Sequence, residues 1–202
     1  MTEEHNQDKH QQKMQKIQDT VAKRVNKATE ERGILIVMTG NGKGKTCAGF
    51  GNVIRCIGHG FNAGVVQFIK GTWEAGEVKF IQQVRPDMPY HAMKTGFTWD
   101  TQDKAADIAA AEAAWVHAKA MLANPELKMV LLDELTYMLS YQYLDLEEVL
   151  SAIRNRPADQ TVIVTGRSAH KDLVAIADTV SEVREEKHAF RSGIKAQIGI
   201  DW

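Results

Sequence analysis

From Gly33 onward, short apolar runs alternate with segments whose apolar residues recur at intervals of three and four. The runs predict strands near 34–39, 64–69, 89–93, 128–132, 161–165 and 179–183, and the helical spacing predicts helices near 46–58, 77–83, 102–123, 145–155 and 169–177. Met129-Val130-Leu131-Leu132 is apolar without alternation, as in a central strand covered on both faces. Asp145 followed by Glu148 reads as a capping box with Asp in place of Ser or Thr, and Pro157 closes that helical region. Strands alternating with helices predict an α/β fold built on a mostly parallel sheet. No internal repeat is visible, and the alanine-rich stretch 105–114 is a good helix former.

Residues 1–32 contain no Gly or Pro, and Met14, Ile17, Val21, Val25 and Ala28 fall on one thin helical stripe. The expected organisation is an N-terminal amphipathic helical extension over 1–32 and a main domain over 33–202. The extension reads either as a solvated, frayed appendage or as a lid over the main domain or a partner subunit.

Composition narrows the class. Of 202 residues, 44% are hydrophobic and 25% charged, an ordinary globular balance. A net charge of −1 offers no field to attract nucleic acid. No apolar run is long enough for a membrane helix, and the polar start lacks a signal-peptide core. Cys47 and Cys56 lie nine residues apart on one expected helix, on opposite faces, and should not bridge. A cytoplasmic location is expected.

The chemistry concentrates in one heptapeptide. Gly40-Asn41-Gly42-Lys43-Gly44-Lys45-Thr46 follows the strand Ile34–Met38 and precedes a helix marked by Phe50, Val53, Ile54 and Ile57. Strand, glycine-rich turn, Lys-Thr and helix together form a cradle for a nucleoside triphosphate. The glycines let backbone N–H groups approach the phosphates, the helix contributes its positive end, Lys45 a cation, and Thr46 a hydroxyl for Mg²⁺. One departure from G-x-x-x-x-G-K-[ST] stands out: the first glycine of that pattern is Thr39 here.

Other groups gather at the same sheet edge, where ligands of such folds bind. Leu131-Leu132-Asp133-Glu134 has the Walker B form, an apolar strand ending in carboxylates that hold Mg²⁺ opposite the loop threonine. Lys43, Lys45, Arg55, Lys70 and Arg167 are candidate phosphate cations, although Arg55 lies ~13 Å along the first helix. Phe97 and Trp99, like Trp73, sit in expected loops and read first as anchors of the loop into the core, with a place in the site as the alternative. The histidines show no metal-ligand spacing.

These segments together closely resemble the ATP:corrinoid adenosyltransferases of the CobA/BtuR type. The matching stretches are Thr39–Thr46, Gly58-His-Gly60, Val65–Trp73, Gly96-Phe-Thr-Trp99, Leu132–Tyr137, Val164–Arg167, and the C-terminal run from Lys187 through Asp201. The departures are small: Cys47 stands where the family often has Thr, and residues 81–92 diverge. The resemblance implies a P-loop NTPase fold of RecA-like type and transfer of the 5′-deoxyadenosyl group of ATP to Co(I) of a reduced corrinoid, with triphosphate released, in cobalamin biosynthesis or corrinoid salvage. It implies that the loop and Lys45 hold the triphosphate as leaving group, with ATP reversed in orientation relative to ordinary P-loop enzymes. It implies that Thr46 and Glu134 contact Mg²⁺ (or Mn²⁺) and nucleotide. Phe97 and Trp99 would crowd the lower face of the corrin and leave four-coordinate Co(II), which is easier to reduce. Further implications are a flavodoxin-like protein or reduced flavin as electron donor, a homodimer, and an N-terminal helix that covers the active site. The competing readings are a RecA-like ATPase that releases ADP and phosphate, a non-catalytic nucleotide-binding module or nucleic-acid-linked motor, and a small-molecule kinase.

Overall fold

The computed structural model describes residues 3–69, 75–93 and 103–202. The chain forms two compact units, Met1–Glu31 and Arg32–Trp202. The first contains helix α1 (Glu3–Val25), on which Ile17, Val21 and Val25 are exposed. Two local bonds brace it: Gln15 donates to Asp19 across one turn, and the Thr20 hydroxyl donates to the Lys16 carbonyl.

The second unit is an α/β sandwich. Its strands are β1 (Leu35–Thr39), β2 (Ala63–Gln67), β3 (Tyr90–Ala92), β4 (Met129–Asp133), β5 (Thr161–Thr165) and β6 (Thr179–Glu182). They form one sheet in the order β3-β2-β4-β5-β1-β6, and every pairing is parallel. The helices are α2 (Lys45–Gly58), α3 (Gly76–Val84), α4 (Lys104–Leu122), α5 (Leu135–Ser140), α6 (Leu146–Arg154) and α7 (Lys171–Ala175), followed by a 3₁₀ turn at Ala189–Ser192.

All six expected strands form, within two residues at each end. Successive strand residues face opposite sides of the sheet, and both sides are covered. Val65, Leu131 and Ile163 meet Phe50 and Val53 of α2 and Val78 and Ile81 of α3. Val66, Leu132, Val162 and Val164 meet Trp115 of α4, Met138 of α5, and Leu150 and Ile153 of α6. This double cover accounts for the unbroken apolar runs of the central strands. Asp145 caps α6 by accepting from Glu148 N at 2.8 Å, while the Glu148 carboxylate turns to Lys119 instead of completing the box. Cys56 is buried and Cys47 exposed, and both are free thiols, as their opposite helical faces require.

The entry to β1 is clamped. Arg32 donates two bonds to Asp178, which also accepts from Leu35 N at 2.8 Å. These donors hold the Asp178 carboxyl down at about 2.

Candidate functional site

The carboxyl ends of β1, β2, β4 and β5 open into a cleft of about 450 Å³. Its floor is the loop between β1 and α2. Asn41 through Thr46 line it, together with Cys47. Gly44 occupies the N-cap position of α2, and no side chain caps the helix there. The first turn of α2 therefore presents its N–H end to the cleft, the usual arrangement for an anion site.

The loop is propped from behind by the segment after β6. Val183 N donates to Thr39 O at 2.8 Å, and Gly42 N donates to Val183 O at 2.7 Å. The approach is so close that a Cβ on Gly40 would stand 2.4 Å from Val183 O, and Gly40 has φ +102°. Only glycine meets both conditions. Thr39, which replaces the first glycine of the usual pattern, braces the loop from another side. Its hydroxyl accepts from Ala169 N at 3.1 Å, tying β1 to the approach of α7.

Lys45 is 6% exposed and donates to Gly42 O at 2.8 Å. Burial lowers its pKa, Glu134 and Asp133 oppose the shift, and the Arg167 guanidinium adds to it. Glu134 faces it across the cleft. Burial, then the adjoining Asp133, pushes the Glu134 carboxyl up to about 7, against Lys45 and Arg167. Two further features mark Glu134. Its backbone is left-handed, φ 60°, in a residue type that seldom accepts that conformation. Its Oε2 is buried and has no hydrogen-bond partner among the described residues.

Asp133 is wholly buried. Gln67 Nε2 donates to its Oδ2 at 3.0 Å, Thr165 Oγ1 donates to its Oδ1 at 2.5 Å, and Thr46 supplies a third side-chain hydrogen bond. Burial still raises its pKa above the ordinary carboxylate range. Thr165 in turn accepts from Glu134 N at 3.0 Å, so one hydroxyl ties both carboxylate residues together. Gly166 follows with φ +137°, and a Cβ there would lie 2.0 Å from Thr136 Oγ1. That turn swings Arg167 into the cleft lining.

Thr46, Asp133 and Glu134 offer oxygen donors, and the orphaned Glu134 Oε2 points to an electropositive partner. Oxygen ligation suits Mg²⁺, which keeps water and substrate phosphates in its shell. Among the described residues no three His, Cys, Asp or Glu side chains form a cage. The residues thus fit a cation shared with a polyphosphate better than a resident metal held by protein alone.

The remaining wall comes from the C-terminus. Asp201 pairs with Lys43 of the loop at 2.5 Å and also accepts from Gln197 N, and His188 and Trp202 complete that side. Of the residues singled out from sequence, the structure brings Asn41, Gly42, Lys43, Gly44, Lys45, Thr46, Glu134 and Arg167 together, with Gly40 beneath them. It does not bring Arg55, which sits exposed in the last turn of α2 and outside the cleft lining. Lys70, Trp73, Phe97 and Trp99 lie outside the described residues. Gln67, Glu77, Tyr137, His188 and Trp202 line the cleft, although the sequence pattern does not single them out as site residues.

Comparison with known proteins decides the family. The family model for ATP:corrinoid adenosyltransferase BtuR/CobO/CobP matches residues 31–202. This chain belongs to that family. The corrinoid adenosyltransferase CobA of Salmonella typhimurium strain LT2 is 57% identical over 195 residues, 96% of this chain and 98% of its own length. The corrinoid adenosyltransferases of Escherichia coli K12 and Pseudomonas aeruginosa PAO1 are 55% and 47% identical, each again covering 96% of this chain. The match of the adenosyltransferase family begins at residue 31, so it spans every residue of the cleft, including the C-terminal wall.

Proposed function

We propose that the cleft binds ATP with its triphosphate on the Gly40–Thr46 loop and presents C5′ to the cobalt of a reduced corrinoid. As a member of the ATP:corrinoid adenosyltransferase family, the protein is a transferase that uses ATP and a corrinoid in cobalamin synthesis. The observation that carries the detailed reading is the union of an uncapped helix start, Lys45 and Arg167 with an acid pair in one cleft.

The reaction forms a Co–C bond and breaks the C5′–O5′ bond of ATP. The electron pair of Co(I) makes the new bond, and that of the broken bond leaves on triphosphate. Charge grows on the departing oxygen, where Lys45, Arg167 and the loop N–H groups lower its energy. On binding, the triphosphate replaces the Gly42 carbonyl as partner of Lys45, and its negative charge opposes the burial that lowers the Lys45 pKa. Thr46 and Glu134 would hold Mg²⁺, which supplies further neutralisation of the phosphates. No hydroxyl acceptor or base-held water is needed, and hydrolysis of ATP to ADP and phosphate is not favoured for a member of this family.

The same proposal assigns Phe97 and Trp99 to the lower corrin face, where apolar rings displace the axial ligand and exclude water. It includes a RecA-like P-loop fold, supported by the parallel sheet and loop position, and a domain division near residue 32. It also includes a flavodoxin-like protein or reduced flavin as electron donor, a homodimer, and the cytoplasm as location. The amphipathic stripe of α1 supports its use as a lid, whether over its own site or a partner's.

Product analysis tests the reading. Anaerobic incubation with Mg-ATP and Co(I) cobalamin should yield a light-labile alkylcobalamin and one triphosphate per turnover. ADP and phosphate without an alkylated corrinoid would overturn it.

A further inference from the structure

Gln67 is the last residue of β2 and is 5% exposed, a fully polar side chain in a strand otherwise buried and apolar. Register places it opposite Asp133 on β4. On the other side, Tyr90 of the edge strand β3 pairs with Val65, two residues before Gln67 and therefore on the same face. The diagonal brings the Tyr90 hydroxyl to Gln67 Oε1 at 2.8 Å, while Gln67 Nε2 donates to Asp133 Oδ2 at 3.0 Å. The Thr46 hydroxyl hydrogen-bonds to the same carboxylate. A continuous chain, Tyr90 to Gln67 to Asp133 to Thr46, thus runs from the sheet edge to the phosphate loop.

We infer that Gln67 and Tyr90 are positioning residues whose hydrogen-bond chain aims the Thr46 hydroxyl oxygen at the metal of the bound nucleotide. The inference rests on the reading of the cleft as a metal–ATP site.

The chemistry of each link fixes its direction. Gln67 Nε2 donates to Asp133 and Gln67 Oε1 accepts from Tyr90, so the amide turns its NH₂ toward the acid and its oxygen away. The Tyr90 hydroxyl, donating to that oxygen, locks the amide in this sense. A flipped amide would set Oε1 against the carboxylate. Asp133, held by Gln67 and Thr165, accepts a third hydrogen bond from the Thr46 hydroxyl. The lone pairs of Thr46 then face the cleft instead of competing for a donor. A buried glutamine that merely satisfied itself would not need to stand between a tyrosine and the acid that bonds the loop threonine.

Partners that orient ligands from behind typically change metal affinity when removed, by about 10–100-fold. The test is the affinity of Mn²⁺ for the enzyme–ATP complex, read from the free-Mn²⁺ electron paramagnetic resonance signal, alongside ATP binding in EDTA. Gln67→Leu should weaken Mn²⁺ binding by about 10–100-fold and leave metal-free ATP binding unchanged. Tyr90→Phe should weaken it less, about 3–10-fold, the worth of one neutral hydrogen bond. The double variant should match Gln67→Leu, because Tyr90 acts through Gln67. Unchanged Mn²⁺ affinity in either folded single variant, or losses that multiply in the double, would overturn the inference. Should Gln67→Leu fail to fold, Tyr90→Phe alone decides by the same criterion. Wild-type enzyme that binds ATP with no dependence on Mn²⁺ would instead refute the underlying metal–ATP reading.

Discussion

Two layers of the same sheet are equally buried and differently made. In the middle of β1, β4 and β5, Val37, Leu131, Leu132, Ile163 and Val164 are fully enclosed and carry no polar side-chain atom. One residue further along β4 and β5, Asp133 and Thr165 are just as enclosed, yet every contact that matters is a hydrogen bond. The apolar layer is specified by volume and tolerates any side chains that fill it. The polar layer is specified by partners, since an unpaired buried donor or charge is expensive. Stability and chemistry are therefore weighted differently in the two layers: weakening the first should act mainly on folding, and altering the second mainly on the reaction.

Substitutions in each layer can break that separation. Phe50→Ala, in the apolar cover of α2, should lower unfolding free energy by about 3–5 kcal/mol while activity per folded molecule persists. Chemical denaturation paired with activity at low temperature distinguishes the two; parallel loss of both would erase the distinction. Lys45→Ala should do the reverse, cutting turnover by about 10²–10³-fold with stability retained. Circular dichroism melting would expose a variant that had simply unfolded.

Glu134→Gln sharpens the comparison through pH. Glu134 titrates at about 7 in the folded protein against an ordinary 4.5, so the folded state holds this proton more tightly. Its contribution to stability is therefore complete below pH ~4.5 and is lost as pH rises through 7. The neutral variant should be more stable than wild type above pH 7, by roughly 2–3 kcal/mol, and nearly equal at pH ~4. Melting temperatures at the two pH values check this, and a variant less stable than wild type in the alkaline range would refute the origin of the shift. Its activity should fall at all pH values if Glu134 holds the metal.

The smallest effect lies outside both layers. Asp178→Asn should cost about 1 kcal/mol, because the Arg32 pair is partly exposed while the Leu35 N–H loses a charged acceptor. With its folded value depressed to about 2, Asp178 stabilises above pH ~4, and that benefit fades as pH falls toward 2. Wild type and variant should thus converge in acid.

The apolar layer is legible in the sequence and the polar layer only partly so. Unbroken runs such as Met129–Leu132 reveal doubly covered strands because packing imposes a simple period. The loop and Asp133-Glu134 are legible because each sits at a strand end that the runs already define. Helix α5 is not: it is six residues long, starts directly after β4, and is entered through Glu134 in a left-handed conformation that no cap residue announces. Gln67 escapes a reading by pattern although a signal exists, a glutamine inside a run of buried residues. The wall made by His188, Asp201 and Trp202 depends on the chain folding back onto the loop through Lys43, a contact spanning 158 residues that no local pattern encodes. His188 in that wall shows the limit plainly, since the histidines show no metal-ligand spacing and nothing local places this one in the cleft.

The central claim is that the loop holds triphosphate as a leaving group. It is tested most directly with ATP carrying ¹⁸O at the O5′ bridge, turned over with Co(I) cobalamin under anaerobic conditions and read by mass spectrometry of the products. Attack at C5′ breaks the C5′–O5′ bond, so the label should leave with triphosphate. Recovery of the label in ADP would show that the bond broken lies at the terminal phosphate, and would contradict the account.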